Sequence, residues 1–301
     1  MNGAHARLSA LATLGLFTVG CPAAKVDGSA ESHASGAVTG APAATTIPSA
    51  ATTGGATTTS AALTASAPAE PTACPADMAL VSGNYCPNVV QVCVEQPKVL
   101  GGEGYLQCQR FSEPTCASKA RTPMRFCMDT FEWPNERGAL PRTLTSWPEA
   151  KSMCESKGKR LCTMDEFNFA CEGEAMNAFV YGNARDATAC NFDRRYIERT
   201  YNYERWDECM AKPACKAEFD RLDQRVPAGS MPRCVSPHGV FDLNGNVNEW
   251  VVRTDQRSPN RSGLKGGWWG PVRDRCRPMT TFHLEGDYGY EAGFRCCKDS
   301  G

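Results

Sequence analysis

Sixteen of the seventeen cysteines in this chain lie C-terminal to residue 73. Only four histidines accompany them, and no paired C-x₂-C unit of the kind a zinc site needs is present. Dense, irregularly spaced cysteine with little histidine reads as a disulfide framework, and so as a protein matured in an oxidising compartment. A formal net charge of -1 gives no electrostatic reason to expect nucleic acid or an anionic membrane surface as a partner.

The amino terminus is consistent with export. Arg7 precedes an apolar run from Leu8 to Gly20, too short to span a bilayer and of the length of a signal-peptide core. The run ends in Thr18-Val-Gly-Cys21, which is similar to a bacterial lipobox, although Thr18 stands where Leu is usual. An ordinary cleaved signal would discard Cys21; in either case the remaining sixteen cysteines can pair evenly. Residues 1–21 are read as a signal peptide ending at a lipidated Cys21. That places the protein in the bacterial cell envelope, anchored by lipid in the outer membrane or periplasm. Residues 22–72 are Ala, Thr, Ser, Gly and Pro with four charges. Such a stretch cannot bury a core and serves as a tether with a reach of about 40 Å.

From residue 73 to 301 no composition break divides the chain, which predicts one domain. Ser146-Trp-Pro-Glu149 is a capping box opening a helix that runs to Gly158. Thr163-Met-Asp-Glu166 opens a second, ending at Gly173. Each places a cysteine, Cys154 or Cys171, on its apolar face. Short strands are expected at Met78–Val81, Gly239–Phe241, Gly263–Lys265 and Gly293–Cys297. Residues 193–225 are charged, rich in Tyr and Arg, and hold Cys209 and Cys215. They read as a surface helical insertion stapled by its own disulfide. Tyr196, Tyr203, Trp206 and Phe219 are the residues that could pack it on the core, and it could also face a partner.

Gly239 to Val251 concentrates five Asn, Asp and Glu side chains around Gly245, with Trp250-Val251 behind. Oxygen-rich clusters of this kind either tie down a tight turn or hold a hard cation such as calcium. An EF-hand is excluded, because Gly245 comes at the fourth position counted from Asp242 and Glu249 at the eighth.

Several motifs in order carry a family resemblance. They are Met78 to Gly83, Phe126-Cys-Met-Asp129, Thr145-Ser-Trp-Pro-Glu-Ala150 through Cys154, and Gly158-Lys-Arg-Leu161 with Thr163 to Phe167. After them come Asp242 to Trp250, Lys265-Gly-Gly267 and Gly293-Phe-Arg295. The ordered part resembles the formylglycine-generating enzyme, or sulfatase-modifying factor, family. That implies an α+β, C-type-lectin-like fold with little regular secondary structure.

The resemblance also implies ligands and chemistry. Asp242 and Glu249 would supply carboxylates, and Gly245 and Val247 carbonyls, to a structural calcium ion. Asn191 with the Phe192 carbonyl would begin a second calcium site. Family enzymes oxidise a substrate cysteine with two thiolates of their own, which can hold the copper that activates oxygen. Here the segment after Lys265-Gly-Gly267 contains Cys276 alone, with Pro271 at the other position. The family's disulfide pattern implies Cys154–Cys296 and Cys171–Cys276 instead. Alternation of Arg273, Arg275 and Arg277 with Cys276 points the cysteine inward if the segment is a strand. The arginines could grip an anion, or be salt-bridged by nearby carboxylates. Trp268 and Trp269 would either fill the old active site or form a platform for sugar or peptide. The family's iron-dependent sulfoxide synthases add a helical histidine-bearing domain that is missing here; His238 and His283 are the only histidines of the ordered part. The reading is a non-catalytic, calcium-stabilised binding or surface scaffold domain with a protein, peptide or glycan ligand. Its alternative is a formylglycine-generating oxidase acting through Cys276 on a sulfatase-type substrate.

Overall fold

The computed structural model describes residues 73–95, 97–100, 105–200 and 209–301. The chain divides into two units, Met1–Thr64 and Ala65–Gly301. All described residues belong to the second, so the expectations for Cys21 and the tether lie outside them.

Two four-stranded sheets and a pair of helices build an α+β domain from short elements. The first sheet pairs β1 (Met78–Tyr85) antiparallel with β6 (Thr122–Asp129), in register from Met78 opposite Asp129 to Tyr85 opposite Thr122. β12 (Cys296–Asp299) joins the other edge of β6 and carries β7 (Arg160–Leu161) outside it. The second sheet runs in the order β10 (Met279–Thr280), β9 (Ser262–Lys265), β8 (Asn248–Val252) and β11 (Ala292–Gly293), with β11 parallel to β8. Two minor hairpins, β2 (Val89–Val90) with β5 (Thr115–Cys116) and β3 (Lys98–Leu100) with β4 (Tyr105–Gln107), lie between β1 and β6 in sequence.

Helix α1 (Trp147–Ser156) begins where the Glu149 carboxylate accepts the backbone N–H and hydroxyl of Ser146, at 2.8 and 2.6 Å. Helix α2 (Met164–Glu172) begins with the reciprocal Thr163/Glu166 box, at 2.7 and 3.2 Å, and ends at Gly173 with φ +62°. These bonds satisfy donors that a helix start leaves unpaired. Trp147, Ala150 and Cys154 of α1 are buried beside Trp250, Leu264 and Phe294. The two indoles are tied as well as packed: Trp147 donates to the Val251 carbonyl at 3.0 Å and Trp250 to that of Thr145 at 2.7 Å.

Three local expectations need correction. Gly239–Phe241 is no strand; Phe241 makes only an isolated bridge to Val235. Gly293–Cys297 is not one strand but two. Ala292–Gly293 pairs with β8 and Cys296–Cys297 with β6 and β7, while Phe294-Arg295 crosses from one sheet to the other. Residues 273–277 are not a strand either, and Arg273 takes φ +61°. Cys276 is nonetheless fully buried.

Within the insertion, helix α3 (Pro213–Leu222) is stapled by Cys209–Cys215. Phe219 and Leu222 pack with Val247, Trp269 and Tyr290. The described part of the insertion is therefore joined to the turn and to the Gly-Gly loop. Tyr203 and Trp206 lie outside the described residues.

Candidate functional site

The Asp242–Trp250 turn is buried throughout. Asp242, Gly245 and Asn246 all take positive φ, at +60°, +78° and +59°. At Gly245 a Cβ would lie 2.3 Å from the Asn191 carbonyl oxygen, so only glycine fits. Asn246 fixes the other side of the turn. Its amide donates to Glu132 at 2.7 Å and to the Val226 carbonyl, and accepts from Val226 N–H at 2.9 Å. Asn244 accepts the Val180 N–H at 2.8 Å.

The side-chain oxygens implied as calcium ligands are hydrogen-bonded to protein partners. Glu249 accepts two bonds from the Arg295 guanidinium, at 2.6 and 2.7 Å, both side chains fully buried. Asp242 accepts the Gly229 N–H at 2.6 Å. Asn191 presents its side-chain oxygen to Arg194 at 2.9 Å and its carbonyl to Asn246 N–H at 2.8 Å. A guanidinium thus bonds each of Glu249 and Asn191. A calcium ion at either site would have to share Asp242, Glu249 and Asn191 with these partners. Among the described residues no group of three acidic, histidine or cysteine side chains is arranged to hold a metal. Burial, with Asp242 and Glu249 close by, raises the Glu132 carboxyl well above its usual range. Glu132 was not legible beforehand, because it stands 114 positions from Asn246 in sequence.

Downstream, Gly266 and Gly267 turn the chain at φ +82° and +76°. A Cβ on Gly267 would lie 2.5 Å from the Asp274 carboxylate. Asp274 accepts Arg185 at 2.5 Å, and Arg185 also holds Asp193. Cys276 is bonded to Cys171, and its N–H donates to the Ala178 carbonyl. Cys154 is bonded to Cys296. Cys21 aside, every cysteine is in one of eight disulfides. No described residue therefore supplies a thiolate. Lys265 is also enclosed here, bonded to Asn168 at 2.6 Å and to the Arg277 carbonyl at 2.7 Å. Burial and then Arg277 push its ammonium down to about 7.

The arginine stripe divides. Arg277 is ion-paired with Glu172 at 2.5 Å, and Arg275 lies over Phe111 at 4.4 Å. Arg273 is exposed and lies over Phe282, 5.7 Å from the ring centre. The tryptophans divide too: Trp269 is buried, whereas Trp268 lines an open cleft of about 460 Å³. Tyr196, Phe282, Tyr288 and Tyr290 supply further rings to this cleft, and Trp268 meets Tyr290 edge-on at 5.9 Å. Arg199, Asn248, Arg273, Thr280, His283 and Glu291 supply polar groups. The Oε2 of Glu291 is enclosed with no hydrogen-bond partner, and burial raises its carboxyl. A cleft of this volume with aromatic walls and few polar groups has the makings of a small-ligand site. Most of its residues carry no sequence signal, since they come from three separate loops and all four strands of the second sheet.

Fold and site together define a disulfide-locked α+β domain with an aromatic cleft beside the Gly-Gly loop and no described thiolate in it. A sequence model of the sulfatase-modifying factor enzyme 1-like domain matches residues 88–300, and the chain belongs to that family, with its formylglycine-generating-enzyme-like fold. Over 174 residues it is 28% identical to the inactive C-alpha-formylglycine-generating enzyme 2 of Mus musculus, covering 55% of this chain and 51% of that one. The Bos taurus counterpart matches equally, at 28% identity and 52% coverage of its length. The chain thus spans about half the length of these relatives. Among solved structures, CarF superposes with a TM-score of 0.48 at 14% identity, covering 75% of this chain and 98% of CarF. PvdO from Pseudomonas aeruginosa gives 0.45 at 14% identity, covering 74% and 94%.

Proposed function

We propose that this protein is a non-catalytic binding domain, exported and anchored through Cys21, whose ligand site is the cleft lined by Trp268 and Glu291. The observation that carries the reading is the Cys171–Cys276 disulfide. It occupies the one cysteine in the segment where family enzymes carry their pair. A sulfur bonded to another sulfur is neither a nucleophile nor a copper ligand. The relatives named inactive agree with this direction. Eight disulfides suit an oxidising compartment of the cell envelope, and lipidation of Cys21 would hold the domain at a membrane. Labelling with a fatty-acid analogue, lost in Cys21→Ala, tests the anchor.

In this reading the turn is a structural clamp held by Arg295, Asn246 and Glu132 rather than by calcium. Its task is to seat Asn248 and Trp250 at the floor of the cleft. The test of function is direct. Reduced, copper-loaded protein is incubated with a Cys-x-Pro-x-Arg peptide, and the mass of the peptide is followed. No conversion to formylglycine is expected; conversion abolished by Cys276→Ser would restore the oxidase reading.

A further inference from the structure

The cleft contains an unmet demand. Glu291 Oε2 is enclosed without a donor among the described residues, and a buried acceptor in that state gains from any ligand that supplies one. Arg199 and Arg273 line the same cleft; Arg199 acts electrostatically on Glu291, and no described carboxylate lies within ion-pair distance of either guanidinium. Among the described lining residues two guanidiniums stand against one carboxyl, an excess of positive charge. A basic side chain or quaternary ammonium would meet repulsion there despite the rings. An anionic group would not, because guanidinium is well matched to carboxylate.

Shape narrows the ligand further. Asn248 and Trp250 from β8, Leu264 from β9, Thr280 from β10 and Ala292 from β11 all line the cleft. It therefore lies over the face of the second sheet and reaches both of its edge strands, β10 and β11. Phe282 is 66% exposed, and with Trp268 and Tyr288 it offers ring surface to a compact ligand. Asn248 and Thr280 can both donate and accept, as hydroxyl-rich ligands require.

Resting on the reading of this cleft as the binding site, we infer that it takes an acidic saccharide, a sugar ring bearing a carboxylate. The ring faces pack on the aromatic walls, hydroxyls donate to Glu291, and the carboxylate meets Arg199 and Arg273.

The test titrates the full chain with methyl glucuronide, methyl glucoside and an N-acetylated tripeptide with a free carboxylate. Calorimetry and tryptophan fluorescence give the readout. Methyl glucuronide should bind at least ~10-fold more tightly than methyl glucoside, the equivalent of one charge-assisted hydrogen bond. Arg273→Ala, a change at an exposed side chain, should erase that difference. Glu291→Leu should weaken both sugars. Equal binding of the two sugars, binding of the tripeptide alone, or no sugar binding would each overturn the inference. None of those results touches the non-catalytic reading, which fails only if the Cys-x-Pro-x-Arg peptide is oxidised.

Discussion

Glu249 and Arg295 face each other in a fully buried, two-bonded ion pair, 46 positions apart in sequence. Glu249 belongs to β8 of the second sheet, and Arg295 to the crossing between β11 and β12, so the pair joins the two sheets. Glu132 and Asp242 lie within electrostatic reach of the same guanidinium, which helps to offset the cost of enclosing three carboxyls.

Removing the cation should be severe. Arg295→Met leaves Glu249 buried without its partner and is expected to cost about 3–5 kcal/mol in urea unfolding of the oxidised protein. The double variant with Glu249→Leu should recover part of that loss, since neither charge is then stranded. Wild-type stability in Arg295→Met would contradict the clamp.

Gly245→Ala tests the turn itself. A Cβ there would strike the Asn191 carbonyl while the backbone holds φ +78°. The expected loss is at least ~2 kcal/mol. A neutral result would mean that the turn relaxes freely.

Calcium should be dispensable. With Arg295 on Glu249 and Arg194 on Asn191, chelator should leave thermal unfolding unchanged, and calorimetry should detect no calcium binding. A melting temperature that falls on chelation and returns with calcium would reinstate Asp242 and Glu249 as ligands.

Two buried groups, Asp274 and Lys265, should contribute to the pH dependence of stability with opposite sign. Burial raises Asp274 from 3.8 to about 8. The folded state then holds this proton more tightly than the unfolded chain, so the contribution is present below about pH 4 and lost as pH rises through about 8. Burial and Arg277 lower Lys265 from 10.5 to about 7, so its contribution grows as pH rises from about 7 toward 10.5. Asp274→Asn should make the decline between pH 5 and 8 shallower in thermal melts. A variant profile parallel to wild type would show that Asp274 does not titrate there.

What was legible in the sequence was local or motif-borne. The Ser146/Glu149 and Thr163/Glu166 boxes start α1 and α2 where their spacing says, because a cap is completed within four residues. The pairings Cys154–Cys296 and Cys171–Cys276 came from the family pattern, since spacing alone does not choose among sixteen cysteines. The partner of Glu249 was not legible, because identical oxygen-bearing residues serve a metal or a guanidinium, and nothing local reveals that Arg295 folds back onto Glu249. The Gly293–Cys297 strand is broken for the same reason: Phe294 and Arg295 leave one sheet so that the arginine reaches Glu249 before Cys296 joins the other. Glu291 and Tyr288 gave no signal, because a cleft over a sheet face is assembled only by the tertiary fold.

The state of Cys276 decides most directly whether this domain has left the chemistry of its family. Unreduced protein, alkylated under denaturing conditions and digested, should yield a peptide linking Cys171 to Cys276 and no adduct on any cysteine from Cys74 onward. An alkylated Cys276, with no Cys171–Cys276 peptide, would contradict the account and return that thiol to the list of catalytic candidates.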